Sequence, residues 1–168
     1  MKKIVLFSIF SFIFSCSAEK AHITSEATRI NNTLDAWHKA AAEANFNNYF
    51  QYFTEDAIFI GTDATENWNK TNFAAFAKLY FDKGKAWNFT ALERHVFFDA
   101  SGKTAWFDEL LNTHMKICRG SGVLVKSGND WKIAQYVLSM TMPNDKIDAA
   151  LNLKAVEEDS IINALKKK

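Results

Sequence analysis

Asp108 follows Trp106 and Phe107 in a run that alternates like a β-strand. A carboxylate held there away from bulk water has its charged form disfavoured, so its pKa is expected to rise, which suits abstraction of a proton next to a carbonyl. The plainer reading is a structural carboxylate paired with Arg94 or Arg119 across a sheet. His95 is the second candidate, because alternation places it with Trp87, Phe89, Glu93 and Phe97. Set beside Asp108 by antiparallel pairing, it would form an acid–base or orienting pair; otherwise it is a core histidine with satisfied nitrogens. Tyr136 could donate to a developing oxyanion, or be a core ring whose hydroxyl is satisfied. Arg119 precedes Gly120-Ser121-Gly122. Glycines inside a strand mark a bulge or a close approach, and an Arg beside that gap could clamp an anionic group or neutralise Asp108 or Glu109. Trp106 and Gln135 complete the candidate ligand lining, and Asp63 and Trp68 flank a loop that would form a rim.

Other chemistries find little support. His22, His38, His95 and His114 are far apart and lack the spacing of a metal motif, so no metal and no cofactor are expected. Gly120-Ser121-Gly122 is not followed by a helix, so it is neither a phosphate loop nor a nucleophile elbow. Nothing resembles a basic stripe for nucleic acid.

Strands and helices must position these residues. The segment from Thr104 to Met140 reads as strands Thr104–Met115, Arg119–Lys126 and Trp131–Met140, joined by short turns. On the first, Trp106, Asp108, Leu110, Asn112 and His114 share one face; Ala105, Phe107, Glu109, Leu111, Thr113 and Met115 share the other. Neither face is purely apolar, whereas a strand between core and water normally alternates cleanly. Mixed faces imply a sheet curving around a lined pocket. Before it come a helix over Ser25–Ala44 with Ile30, Leu34, Trp37, Ala41 and Ala44 inward, a short helix Asn47–Phe53, a strand Asp56–Thr62, a helix Thr71–Lys83 and a long strand Trp87–Asp99. From Asn144 the pattern is helical again. The fold class is therefore α+β: three helices of the N-terminal half on a curved, mostly antiparallel sheet, plus a C-terminal helix. Phe98, Leu111 and Met115 are read as an outer sheet face that could join two copies as a homodimer.

The ends carry a different message. Lys2 and Lys3 precede an apolar run to Phe14, too short to span a bilayer as a helix but matching a signal peptide. Ser15-Cys16 at its end resembles a bacterial lipoprotein signal, with Cys16 as the lipidated residue; ordinary cleavage near Ala18 is the alternative. The expected organisation is a signal peptide over 1–16, a tether over 17–23, one domain over 24–145 and a helical extension over 146–168. An exported protein at the cell envelope is expected, held to the membrane if Cys16 is modified. Without Lys2 and Lys3 the 20 basic residues fall by two against 19 acidic ones, a net charge of about −1. Cys118 would then have no thiol partner besides Cys16.

The stretches "EDAIFIGTDATENW", "LERHVFF", "TAWFDELL", "CRGSGVLVK" and "WKIAQYVL" resemble the SnoaL-like branch of the nuclear-transport-factor-2-like superfamily, over about Ile30 to Asp145. The resemblance implies an α+β cone with a pocket at its open end. It implies no single function, because that superfamily holds isomerases, cyclases, dehydratases and non-catalytic binding domains on one scaffold. The expectation is a small, partly apolar ligand bound in the cone; the alternative is a proton-transfer enzyme with Asp108 as general base, assisted by His95 or Tyr136.

Overall fold

The computed structural model describes residues 7–167, with side chains from Ala21 to Lys167. Residues 1–6 and the side chain of Cys16 lie outside that range, and with them the Lys2–Lys3 start of the expected leader and the lipidation of Cys16. Helix α1 runs Phe7–Ala42, α2 Phe46–Phe50 and α3 Lys70–Phe81; the strands are β1 Phe53–Ile60, β2 Asn67–Asn69, β3 Thr90–Phe98, β4 Thr104–Thr113, β5 Lys116–Ser127 and β6 Asp130–Met140; a 3-10 turn at Asn144–Lys146 leads into α4, Ile147–Leu165. One six-stranded sheet in the order β2-β1-β6-β5-β4-β3 holds every strand, and only the β1–β6 pair is parallel. No helix of the described residues is long and apolar enough to cross a membrane.

Helix α1 buries Ile30, Leu34, Trp37 and Ala41, which recur every three or four residues and so share one face. It does not start at Ser25. Backbone helix continues upstream, and Thr28 donates its hydroxyl back to the Thr24 carbonyl within it. Helix α3 is capped by Asn69, whose side chain accepts from the Asn72 amide, and it buries Phe73, Ala77 and Phe81. Strand β2 had no sequence signal, being three residues of Asn-Trp-Asn. Its pairing of Trp68 with Phe59 brings that indole over the sheet.

Two bulges bend the sheet and decide which side chains face the helices. In β3, Ala91 pairs with Leu111 but Glu93 pairs with Leu110, so Leu92 is an extra residue. In β6, Ile133 pairs with Leu124 but Gln135 with Val123, so Ala134 is extra. An extra residue shifts alternation by one and turns the rest of the strand over. Hence Phe89 and Ala91 face inward, whereas Glu93, His95 and Phe97 face outward. Likewise Trp131 and Ile133 are buried before the β6 bulge, and Tyr136 and Leu138 after it. The concave face is a core of rings: Phe59 stacks on Phe73 at 3.8 Å between centroids, and Trp37 meets Tyr136 edge-on at 4.7 Å. Helix α4 buries none of its residues.

Candidate ligand pocket

A cavity of about 230 Å³ opens between the concave sheet face and the helices. Helix α1 supplies Trp37, α2 Tyr49, α3 Phe73 and Phe76, β1 Phe59, β2 Trp68, and β6 Tyr136 and Leu138; Trp87 and Phe89 precede β3. Its polar fringe is Thr62, Glu66 and His114. Glu66 is fixed there by the loop 61–66, where it accepts from the Asp63 amide. His114 is exposed and stacks on Phe89.

Two polar atoms of this lining, the Trp37 Nε1–H and the Tyr49 hydroxyl, make no hydrogen bond of good geometry, although the Trp37 and Trp87 indoles stand close to that hydroxyl. Trp37 is 2 % exposed and Tyr49 is fully buried. Burial pushes the Tyr49 hydroxyl well above its ordinary pKa, offset in part by the neighbouring indoles of Trp87 and Trp37. A buried donor left unmade costs about 1–3 kcal/mol, so each such group calls for an explanation. In a cavity wall, the natural explanation is a ligand atom that satisfies it.

Behind Tyr136 lies a buried ionic cluster. Its hydroxyl donates to Glu109 Oε1 at 3.1 Å, and the same oxygen is 2.9 Å from His38 Nε2. Arg94 Nε donates to Glu109 Oε2 at 2.9 Å, and Arg94 Nη1 reaches Asp35 at 2.9 Å. Burial pushes the Glu109 carboxyl up, but the hydrogen bond from His38 and the charges of His38 and Arg94 outweigh it and hold the group below its ordinary value. Burial and the adjacent Glu109 charge raise the Tyr136 hydroxyl well above its own. Gly120 makes this approach possible. It pairs opposite Glu109, and a Cβ there would overlap the Tyr136 hydroxyl and come within 2.9 Å of Glu109 Oε1.

Among the residues read from the sequence, Tyr136 and Trp68 line the cavity. Asp63 sits in the rim loop, its carboxylate turned back onto the Thr65 amide and hydroxyl. Asp108, His95, Arg119, Gln135 and Trp106 are elsewhere, on the convex face turned away from the helices. The register does pair His95 with Asp108, with Nδ1 3.3 Å from Oδ1, and Arg119 Nη1 stands 3.4 Å from the same oxygen. The expected burial of Asp108 is corrected: its side chain is 36 % exposed, and those of His95 and Arg119 are 51 % exposed. The reason is parity. Ala105, Phe107, Glu109, Leu111 and Thr113 form the buried face of β4, so the carboxylate facing the core is Glu109. Trp106 stacks on Phe97 in the open. The residues expected to offer a dimer face also turn inward: Leu111 is fully buried, Met115 lines the cavity and Phe98 packs on Trp131.

Sequence reasoning missed Glu109, His38, Trp37, Tyr49, Trp87 and Glu66 as site residues. The signal for Glu109 was present, since it shares a face with Phe107 and Leu111. His38 follows Trp37 on α1, and nothing local tells that it meets a strand 71 residues later. Among the described residues, no three His, Cys, Asp or Glu side chains gather to hold a metal ion.

A helix-covered, curved and unclosed sheet with an aromatic pocket at its concave side is the nuclear-transport-factor-2-like cone. The solved structures agree. A protein of unknown function with this fold from Pseudomonas putida KT2440 superposes with a TM-score of 0.61 at 13 % identity, over 73 % of this chain and 92 % of that one. A proposed aromatic ring hydroxylase from Novosphingobium aromaticivorans gives 0.60 at 16 % identity, over 69 % and 89 %. A proposed ketosteroid isomerase from Shewanella frigidimarina gives 0.53 at 17 % identity, over 64 % and 92 %. At such identities the likeness concerns the fold alone. The SnoaL-like domain family matches residues 30–143, and the chain belongs to that family. No curated protein matches it.

Proposed function

We propose that the protein binds a small, planar, largely apolar molecule that brings a hydrogen-bond acceptor to the buried end of the cone. The observation that carries this reading is the pair of buried donors without a well-formed hydrogen bond, Trp37 Nε1–H and Tyr49 O–H, in a wall made mostly of rings. The cavity is smaller than the roughly 300–1,000 Å³ of drug-sized sites, which favours one or two rings. The ionised Glu109 behind Tyr136 disfavours an anionic head. The functions named for neighbouring folds span a hydroxylase and an isomerase, so the reading rests on the lining.

Acetophenone and ethylbenzene test it, with tryptophan quenching or calorimetry as the readout. The ketone should bind about tenfold tighter, the worth of one buried hydrogen bond. Trp37→Phe should weaken that preference and the double change with Tyr49→Phe should remove it, whereas Asp108→Asn on the convex face should leave it intact. An unchanged preference in the double variant rejects the assignment. We further propose export with a lipid anchor at Cys16, supported by Lys2, Lys3 and the apolar run that ends at Ser15-Cys16. Cys16→Ser should then move the protein from the membrane to the soluble fraction, and an unchanged partition rejects the anchor.

A further inference from the structure

Helix α4 stands off the body and encloses a groove of about 430 Å³ against the end of β6. Ile147, Ala150, Leu151 and Lys154 face this groove from the helix, at the spacing of one helical face. Met140 and Met142 face it from the other side. Met140, Met142, Ile147 and Leu151 are each between 44 % and 54 % exposed. Large apolar side chains exposed together in a trough mark a binding surface, and methionines adapt to what enters. Gly61, Thr62 and Leu138 belong to the walls of both this groove and the aromatic cavity. The two spaces therefore adjoin at these three residues.

We propose that cavity and groove form one site, for a ligand with a planar head and a linear apolar tail that lies under α4. This rests on the cone as the site of the head. An acceptor at the buried end of the head leaves its opposite end at the mouth, beside Thr62 and Leu138, where the groove begins. From Ile147 to Lys154 the helix face runs about 10 Å, enough for a chain of medium length. The occupant is the tail because the groove adjoins the cavity at three shared residues, and its other walls are mostly apolar. Covering Leu151 and Ile147 with the tail would draw α4 onto the sheet.

Acetophenone and 4′-octylacetophenone distinguish head from tail in the full chain, measured by calorimetry. In the unaltered protein the octyl compound should bind more than about thirtyfold tighter, since each buried methylene adds to affinity. Leu151→Asp places a charge in the groove and should cut octyl binding at least tenfold while acetophenone binds as before. Leu153→Asp, at a residue 85 % exposed and absent from the groove wall, should change neither. An octyl advantage that is equal in both variants overturns the groove as the tail's site. A ketone preference that survives loss of the Trp37 and Tyr49 donors, with the octyl dependence on Leu151 kept, would reject the donors and leave the groove in place. If Leu151→Asp instead alters the mass in solution by light scattering without altering octyl binding, the groove joins copies of the chain and the proposal fails.

Discussion

Glu109 illustrates how a charge is kept in a core of rings. Its two oxygens receive Tyr136, His38 and Arg94, so the carboxylate is compensated at every side. Glu109→Gln would leave Arg94 without its buried counter-charge, and truncating one side of a buried pair costs about 3–5 kcal/mol. The expected result is a fall of about 3 kcal/mol in urea unfolding. The pH dependence has a definite sign. The folded pKa of Glu109 is depressed, so its contribution is fully present above the ordinary value of 4.5 and is lost as pH falls through the folded value. The difference in stability between the natural protein and Glu109→Gln should therefore shrink below about pH 4.5; a difference that stays constant in acid would refute the linkage. Gly120→Ala should cost about 1–3 kcal/mol by overpacking, and Tyr136→Phe in the same chain should recover part of it. Strict additivity of the two would mean that the hydroxyl is not what the methyl meets.

At the scale of the element, the β3 bulge decides more than any single side chain. Leu92 itself is 58 % exposed, so Leu92→Ala should change stability by less than about 0.5 kcal/mol. Deleting Leu92 is a different matter. It would restore strict alternation and drive Trp87 and Phe89 out of the cavity, or His95 into the core. Loss of the cooperative thermal transition, read by circular dichroism, is expected for the deletion and not for the substitution. Alternation alone had put His95 with Trp87 and Phe89. It failed because one residue was inserted between them with no glycine or proline to announce it.

For the whole molecule, the convex face is the open question that a solution experiment answers. Phe97 and Trp106 stack there at 5.9 Å, each 46 % exposed, and Ile117 is 48 % exposed. The same face carries Asp108 and Arg119 at 3.4 Å. We propose this face, in place of Phe98, Leu111 and Met115, as the homodimer surface. Sedimentation should give a dimer for the natural chain and a monomer for Trp106→Glu; a monomer in both rejects it.

Apart from β2, the order of helices and strands was legible in the sequence because it follows from periods of 3.6 and 2 that need no partner. The order of helices and hairpins pointed to a cone; Trp68 was read as flanking a rim loop and Tyr136 as a strand residue, and both line the cavity. What only the tertiary structure decided was the side of the sheet on which chemistry sits. Two unannounced bulges fixed which residues face inward. The helix–strand contact of His38 with Glu109 spans 71 positions, and its strength comes from burial that neither segment has alone. Asp108 and Glu109 are neighbours in the chain, and one residue's step along the strand separates a half-exposed carboxylate from a core one.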